Sequence, residues 1–510
     1  MLARARTFTI QGLQTRPVTV EVDIRTGLPA FAIVGLAGTA VREARDRVQA
    51  AILNSGFSFP NRRITANLAP GDLPKAGPAL DLALACAILA ASDQLDASRL
   101  RSHALLGELA LDGRIRPCRG ALAIAQACVE TGFGALVLAP QSAAEAMLVP
   151  RLDVACATDL ATAVRVLSGG EREPLPRPAG GGAPSRSSPD LADVQGQEAA
   201  VRALVVAAAG GHNLLLSGPP GTGKTMLAER LPSILPPLSR EEAIEVSRIQ
   251  SVIGGLPGGV LLSERPFRSP HHTISAAGLV GGSGGWVGEV VHAHRGVLFL
   301  DELSEFSRQA LEALRQPLED GRVAIVRAGH SAVYPASFML VAATNPCPCG
   351  YLGDGEGNRC HCNEAALQRH RTRLSGPLLD RIDLTVHLER TRVRTGQRAG
   401  RSSTELRALV SRAREIQARR LRKDGLAVNA ELDARLLERH ARLDGRGERL
   451  LAATCESGAL SARGAHRVLK VARTIADLED RRSIDATDLA AALAFRVDAA
   501  PAVGVLPDAA

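Results

Sequence analysis

The 510-residue chain is predicted to be an α/β protein with a helical C-terminal part. Three observations point that way. Over the first third, short extended apolar runs alternate with helical patterns. Farther on, strand-like Asn213–Leu216 leads into a glycine-rich loop and then a helix from Lys224, the strand, loop and helix order of a nucleotide-binding unit. From Ser403 onward the pattern is helical almost throughout and rich in Arg and Ala, as expected of a small helical lid.

The length exceeds what one compact core accommodates, so two or three domains are expected. In the first of these, residues 1–167, Val18–Ile24 and Ala135–Ala139 read as strands, and Val41–Leu53, Leu80–Ala91 and Ala121–Glu130 as helices. Residues 168–189 are rich in Gly, Pro and Ser, cannot bury a core, and read as a flexible linker. The nucleotide-binding core should occupy 190–390, with further strands at Val297–Leu300 and Met339–Ala343, and the helical lid 391–510.

Apolar residues at 45% and charged residues at 22% are values of a folded globular chain. The start, MLARARTFTIQ, lacks the apolar core of a secretory signal, and the most apolar runs are too short or too interrupted to span a bilayer. A cytoplasmic protein without a membrane partner is expected. Nine cysteines, an odd number, argue against a secreted disulfide framework. A net charge of +8 suits a polyanion such as DNA, and equally suits simple solubility. With aromatic residues at 3% and a single tryptophan, Trp286, any nucleic-acid contact should grip backbone rather than stack on bases.

Gly218-Pro219-Pro220-Gly221-Thr222-Gly223-Lys224-Thr225 fits the GxxxxGK[ST] pattern in full, in the strand-to-helix setting it requires. Its glycines let backbone N–H groups face the phosphates of ATP, Lys224 reaches the β and γ phosphates, and Thr225 ligates Mg²⁺. Gly296-Val-Leu-Phe-Leu-Asp301-Glu302 is an apolar strand ending in two acids. Asp301 would hold Mg²⁺ through water and Glu302 would orient or deprotonate the attacking water. Asn345, at the end of the third strand, offers a neutral amide to the γ phosphate and that water, or else simply opens an Asn-Pro turn.

Cys347-Pro-Cys349 and Cys360-His-Cys362 form two C-x-C pairs separated by ten residues. Four thiolates can close a tetrahedral Zn²⁺ site, and they can also remain reduced free cysteines; both readings stay open. The adjacent His271 and His272 point differently in most backbone conformations, so a metal there is not expected.

These residues together resemble the YifB/ComM family of magnesium chelatase-like AAA+ ATPases, which is related to the MCM helicases. The resemblance spans nearly the whole chain, through Phe31–Leu36 with Val41–Arg47, Pro266–Thr273, Ala293–Glu302, Arg315–Asp320, Ser375–Asp383 and Val471–Asp477. It implies a sensor role for Asn345, an arginine-finger role for Arg381 and a second sensor role for Arg463. It therefore also implies a homo-oligomeric ring, a hexamer by family precedent, with active sites between subunits. Two segments match the family's pore-facing insertions: Pro270–Gly288, where Gly284-Gly-Trp-Val-Gly288 replaces an expected proline-rich stretch, and Gly321–Ser337, a hairpin around Arg327-Ala-Gly-His330. Arg322, Arg327 and His330 would touch phosphates of a threaded strand.

The first domain resembles the proteolytic domain of Lon, through Lys75–Asp81 and Gly107–Gly113. Ala79 stands where Lon-type proteolysis needs its serine and Leu122 where it needs its lysine, so a catalytically silent relative is expected. The resemblance as a whole implies an ATP-hydrolysing motor on single-stranded or branched DNA, a helicase or branch-migration factor in recombination linked to DNA uptake. The competing reading is a magnesium chelatase-type subunit that remodels a protein partner.

Overall fold

The computed structural model describes residues 1–35, 39–73, 75, 77–176, 189–254, 256, 259–282, 287–327, 330–353, 359–373, 376–390 and 400–497. The chain divides into two compact units, one made of 1–184 with 239–263, the other of 185–238 with 264–510.

The first unit is built on a seven-stranded sheet in the order Ala30–Val34, Arg63–Ala69, Gln14–Arg25, Leu2–Gln11, His103–Leu106, Ala135–Leu138, Asp153–Cys156. Leu2–Gln11 and Gln14–Arg25 pair antiparallel through a two-residue turn whose Gly12 sits at φ +62°, backbone that suits the twist of a tight hairpin. Along Gln14–Arg25, Val18, Val20, Val22 and Ile24 are buried while their neighbours are not, the two-residue period of a strand with one covered face. The helix Asp81–Ala91 packs on that hairpin and is buried at every position, which explains the apolar run Leu82–Ala91, while the buried Asp81 at its start pairs with Arg47 at 3.0 Å.

Segment 239–263 departs from the expected boundaries. By sequence it falls inside the nucleotide-binding core, yet it packs with the first unit. Its helix, Arg240–Ile253, begins in a Ser239/Glu242 capping box and lies against the helix Ala121–Glu130. Ser251, fully buried, donates through Oγ to Glu145 Oε2 at 2.5 Å, and its carbonyl accepts the Gly120 N–H at 2.8 Å. The other Glu145 oxygen takes the Leu256 N–H at 2.9 Å. The buried carboxylate is thus satisfied by the visiting segment.

Residues 168–176 of the expected linker also lie on the first unit: Arg172 makes a two-pronged ion pair with Asp153 at 2.7 and 2.8 Å, and Cys156 Sγ faces the carbonyls of Glu173 and Pro174. Residues 177–188 of that linker lie outside the described residues.

The second unit holds a five-stranded parallel sheet in the order Phe267–Arg268, Val297–Leu300, Met339–Thr344, Leu214–Ser217, Leu384–His387. Val297–Leu300 and Met339–Thr344 are buried along their whole length, as strands of a parallel sheet covered on both faces must be. The expected hairpin is present as Arg322–Arg327 paired antiparallel with His330–Pro335; the side chains of Arg327 and His330 lie outside the described residues, as does Trp286.

Helices Ser403–Leu421, Ala462–Leu478 and Ala486–Val497 form most of the lid. Asp477, 2% exposed, organises its interior: it accepts two bonds from Arg420 at 2.6 and 2.7 Å, one from Asn429 at 2.9 Å, and pairs with the fully buried Arg473 at 3.0 Å. No helix among the described residues is long and apolar enough to cross a membrane.

Removing one member of such a buried charge network strands the others. Asp477→Ala is expected to destabilise the second unit by roughly 3–5 kcal/mol in urea unfolding, against under about 1 kcal/mol for truncation of the exposed pair Arg308–Glu312. Equal losses would mean that the Asp477 network is effectively solvated.

Candidate active site

The carboxyl edge of the parallel sheet gathers the predicted nucleotide residues. Leu214–Ser217 ends at Gly218, where a side chain is impossible: a Cβ would lie 2.4 Å from the Leu388 carbonyl oxygen. The chain then turns through Gly221 and Gly223, at φ +80° and +88°, into the helix Lys224–Ile234, whose first turn presents unbonded N–H groups. Pro219, Pro220 and Thr222 complete the turn, with Thr222 Oγ1 donating to the Pro219 carbonyl at 2.9 Å.

Lys224 is largely buried, and its Nζ donates to the carbonyls of Gly218 at 2.7 Å and Pro219 at 2.9 Å and to Asn345 Oδ1 at 3.1 Å. Burial pulls the ammonium below its ordinary range, opposed by Asp301 and Glu302. Thr225 Oγ1 donates to Asp301 Oδ2 at 2.6 Å, so the hydroxyl and carboxylate expected to share Mg²⁺ are already adjacent. Glu302 follows the strand Val297–Leu300 with φ +52°, backbone that residues with side chains seldom adopt, and its carboxylate is 55% exposed beside this cluster. Asn345 follows the neighbouring strand Met339–Thr344, and its carbonyl accepts a bond from His370 Nε2 at 3.0 Å. Glycines that open the loop, a helix start, a lysine, a hydroxyl–carboxylate pair, a second carboxylate and an amide at one edge fit a nucleoside triphosphate with its magnesium ion.

Arg381 and Arg463 lie elsewhere. Arg381 precedes the strand Leu384–His387, and its carbonyl accepts from the side chain of Asn213, the residue just before Leu214, at 2.9 Å. It therefore stands at the amino edge of the sheet, the length of a four-residue strand, about 13 Å, from the phosphate loop of the same chain. Arg381 pairs with Glu319 and has Arg315 and Arg463 as cationic neighbours; burial, and then those charges, pull its guanidinium below the ordinary value. Arg463, 81% exposed, lies 3.8 Å from Asp380 at that same edge.

Three features of the site are not assigned by the sequence. His272, which lies in the Pro266–Thr273 segment and is given no role by the sequence, places Nδ1 3.5 Å from Glu302 Oε2. Gln197 donates to the carbonyls of Thr222 and Glu389, at 3.5 and 2.9 Å. It also lines a cleft of about 710 Å³ walled by Val194, Val201, Leu406 and Ile475. A Gln flanked by glycine at a helix start carries little signal on its own, because its partners come from distant segments.

The four predicted cysteines converge, with all four sulfurs within 4.8 Å of one another. Among the described residues they are the one such group of metal-ligating type.

The family profile described as "Magnesium chelatase, subunit ChlI" matches residues 190–395; the profiles "Subunit ChlI of Mg-chelatase" and "Magnesium chelatase, subunit ChlI C-terminal" match 20–142 and 400–496. The chain is similar to the uncharacterized protein YifB of Salmonella typhimurium, 44% identical over 500 residues and 97% of each chain. It is also similar to the competence protein ComM of Haemophilus influenzae, 43% identical over 496 residues and 95% of each chain. Lon protease 2 of Bacillus subtilis is 29% identical over 181 residues, covering 31% of this chain and 32% of the protease. Identity at this level along the full length shows that the chain belongs to the YifB/ComM family of magnesium chelatase-like AAA+ proteins.

Proposed function

We propose that the chain is an ATPase subunit of a cytoplasmic ring, of six subunits by family precedent, that moves single-stranded or branched DNA during recombination linked to DNA uptake. The observation that carries the ring is the division of the site across the sheet. Lys224, Thr225, Asp301, Glu302 and Asn345 share the carboxyl edge, whereas Arg381 and Arg463 stand at the amino edge. An arginine so placed serves a phosphate held by a neighbouring subunit.

In this reading Lys224 exchanges its carbonyl partners for the β and γ phosphates, and the loop's N–H groups surround them. Thr225 and Asp301 hold Mg²⁺, which offsets phosphate charge. Glu302 takes the proton of the attacking water, Asn345 aligns that water, and His272 holds the Glu302 carboxylate until the substrate is seated. The apolar cleft beside Gln197 takes the adenine ring. In trans, Arg381 leaves Glu319 to stabilise charge developing on the transferring phosphoryl group, with Arg463 as a second contact.

For DNA, the support is the net charge of +8, the hairpin Arg322–Pro335, and the full-length likeness to a protein named for competence. The family profile named for a chelatase subunit favours the other reading, a ring that remodels a protein partner. The first unit is proposed to be silent as a protease. Ala79 brings no hydroxyl, Leu122 is buried with its N–H bonded to Ser251 Oγ at 3.3 Å, and buried Lys75 donates to the Pro70 carbonyl.

Glu302→Gln should bind ATP and lower turnover by about 100-fold or more, whereas Lys224→Ala should lose binding itself. Normal turnover in Glu302→Gln would assign the base elsewhere. Mixing Arg381→Ala subunits into wild type should depress the rate more steeply than their fraction; strictly proportional loss would argue against shared sites. ATP turnover measured with and without forked DNA across a salt series separates the two readings. Stimulation that fades with salt marks a phosphate-gripping motor, and indifference to DNA at every salt concentration marks the protein-remodelling ring.

A further inference from the structure

The cysteine cluster stands directly beside the residue proposed to align the water. Cys347 follows Asn345 by two positions, after the strand Met339–Thr344 has ended. The sulfurs of Cys347 and Cys349 are 3.3 Å apart, those of Cys347 and Cys360 3.7 Å, and those of Cys349 and Cys360 3.6 Å. A disulfide needs about 2.0 Å. A tetrahedron of thiolates, each about 2.3 Å from a central zinc, has edges of about 3.8 Å. The observed spacings match the second geometry.

Backbone supports the same assignment. Amides of Tyr351 and His361 face the Cys349 sulfur, those of Leu352 and Gly350 face Cys347, and that of Cys362 faces Cys360. N–H groups aimed at sulfur are the outer contacts that orient thiolate ligands and offset their charge.

Both cysteine pairs also carry supports of Asn345. On one side, Gly350, at φ +84°, lies so close to the phosphate loop that a Cβ there would sit 2.8 Å from Pro220 Cδ and 3.9 Å from Asn345 Cγ. On the other, Cys362 leads into Asn363, which caps the helix Glu364–Arg373 by accepting the Ala366 N–H at 2.9 Å. That helix supplies His370, the partner of the Asn345 carbonyl. A link between the two pairs ties the Pro220 contact to the His370 contact, with Asn345 between them.

We propose that Cys347, Cys349, Cys360 and Cys362 bind one structural Zn²⁺, and that this ion fixes Asn345 against the phosphate loop. Zinc is assigned because four thiolates close the coordination shell and leave no open position for substrate or water. The four cysteines are positioning residues: they act on hydrolysis only through Asn345. The consequence for turnover rests on the ATPase reading given above, whereas the metal site itself does not.

The test begins with the full-length chain purified under reducing conditions. Elemental analysis should return about one zinc per chain. Exchange with Co²⁺ should give the strong visible absorption of tetrahedral thiolate cobalt, and Cys360→Ser and Cys362→Ser should each lose it. Reduced protein that binds nucleotide but contains no zinc, or that contains iron in its place, overturns the site. So does a mapped disulfide joining any two of the four cysteines. Removing the zinc with a thiol-directed mercurial and chelator, then re-reducing, should lower ATP turnover about tenfold or more and leave ATP affinity within about twofold. Adding zinc back should restore the rate. An unchanged rate in verified zinc-free protein overturns the link to Asn345. If the wild-type chain holds zinc but hydrolyses no ATP under any condition, the ATPase reading fails and the metal site stands.

Discussion

The placement of the strand Leu214–Ser217 governs the second unit. It pairs residue by residue with Val341–Thr344 on one side and Leu384–His387 on the other, both parallel. Strand direction therefore delivers the phosphate loop, Asn345 and the backbone of Leu388 to one edge. It delivers Asn213, Arg381 and Asp383 to the opposite one. The close approach of Leu388 then admits only glycine at position 218, where the loop begins. The parallel arrangement alone therefore separates the phosphate-loop residues from Arg381 by the length of the strand.

The amino edge is wired into the lid by polar contacts. Asp383 lies 3.4 Å from His212 Nδ1, and His212 Nε2 bonds Thr474 Oγ1 at 2.8 Å. Asn429 bonds both Thr474 Oγ1 and Asp477, at 3.0 and 2.9 Å. His212, Thr474, Asn429 and Asp477 are all buried. Directional bonds in a dry interior tolerate little sliding, so lid and sheet edge are held in one arrangement. Arg381, two residues from Asp383, stands beside this fixed edge.

Much of this was legible in the sequence because it is local. The phosphate loop, the acidic pair after an apolar strand and the cysteine pairs each rest on fixed spacing, and each leads to residues that the fold gathers. The strands Val297–Leu300 and Met339–Thr344 were legible because burial on both faces forces continuous apolar runs. What could not be read depends on distant partners. Nothing within Arg240–Ile253 separates a helix covering its own sheet from one leaving to cover another; the capping box and apolar spacing are the same. The bonds from Ser251 and Leu256 to Glu145 join residues more than a hundred positions apart. Glu319 beside Arg381 and His272 beside Glu302 were hidden for the same reason.

The excursion of residues 239–263 means that the two units are joined by three chain crossings rather than one, near 184–185, 238–239 and 263–264. A truncated chain starting at residue 190 would keep the helix Arg240–Ile253 but lose the surface it covers, leaving Ser251 and the apolar face of that helix in water. Gene shuffling that exchanged the first unit alone would have to preserve a matching acceptor for that helix. The bonds from Ser251 and Leu256 to Glu145 make the first unit depend on a stretch of chain that the sequence order places inside the second.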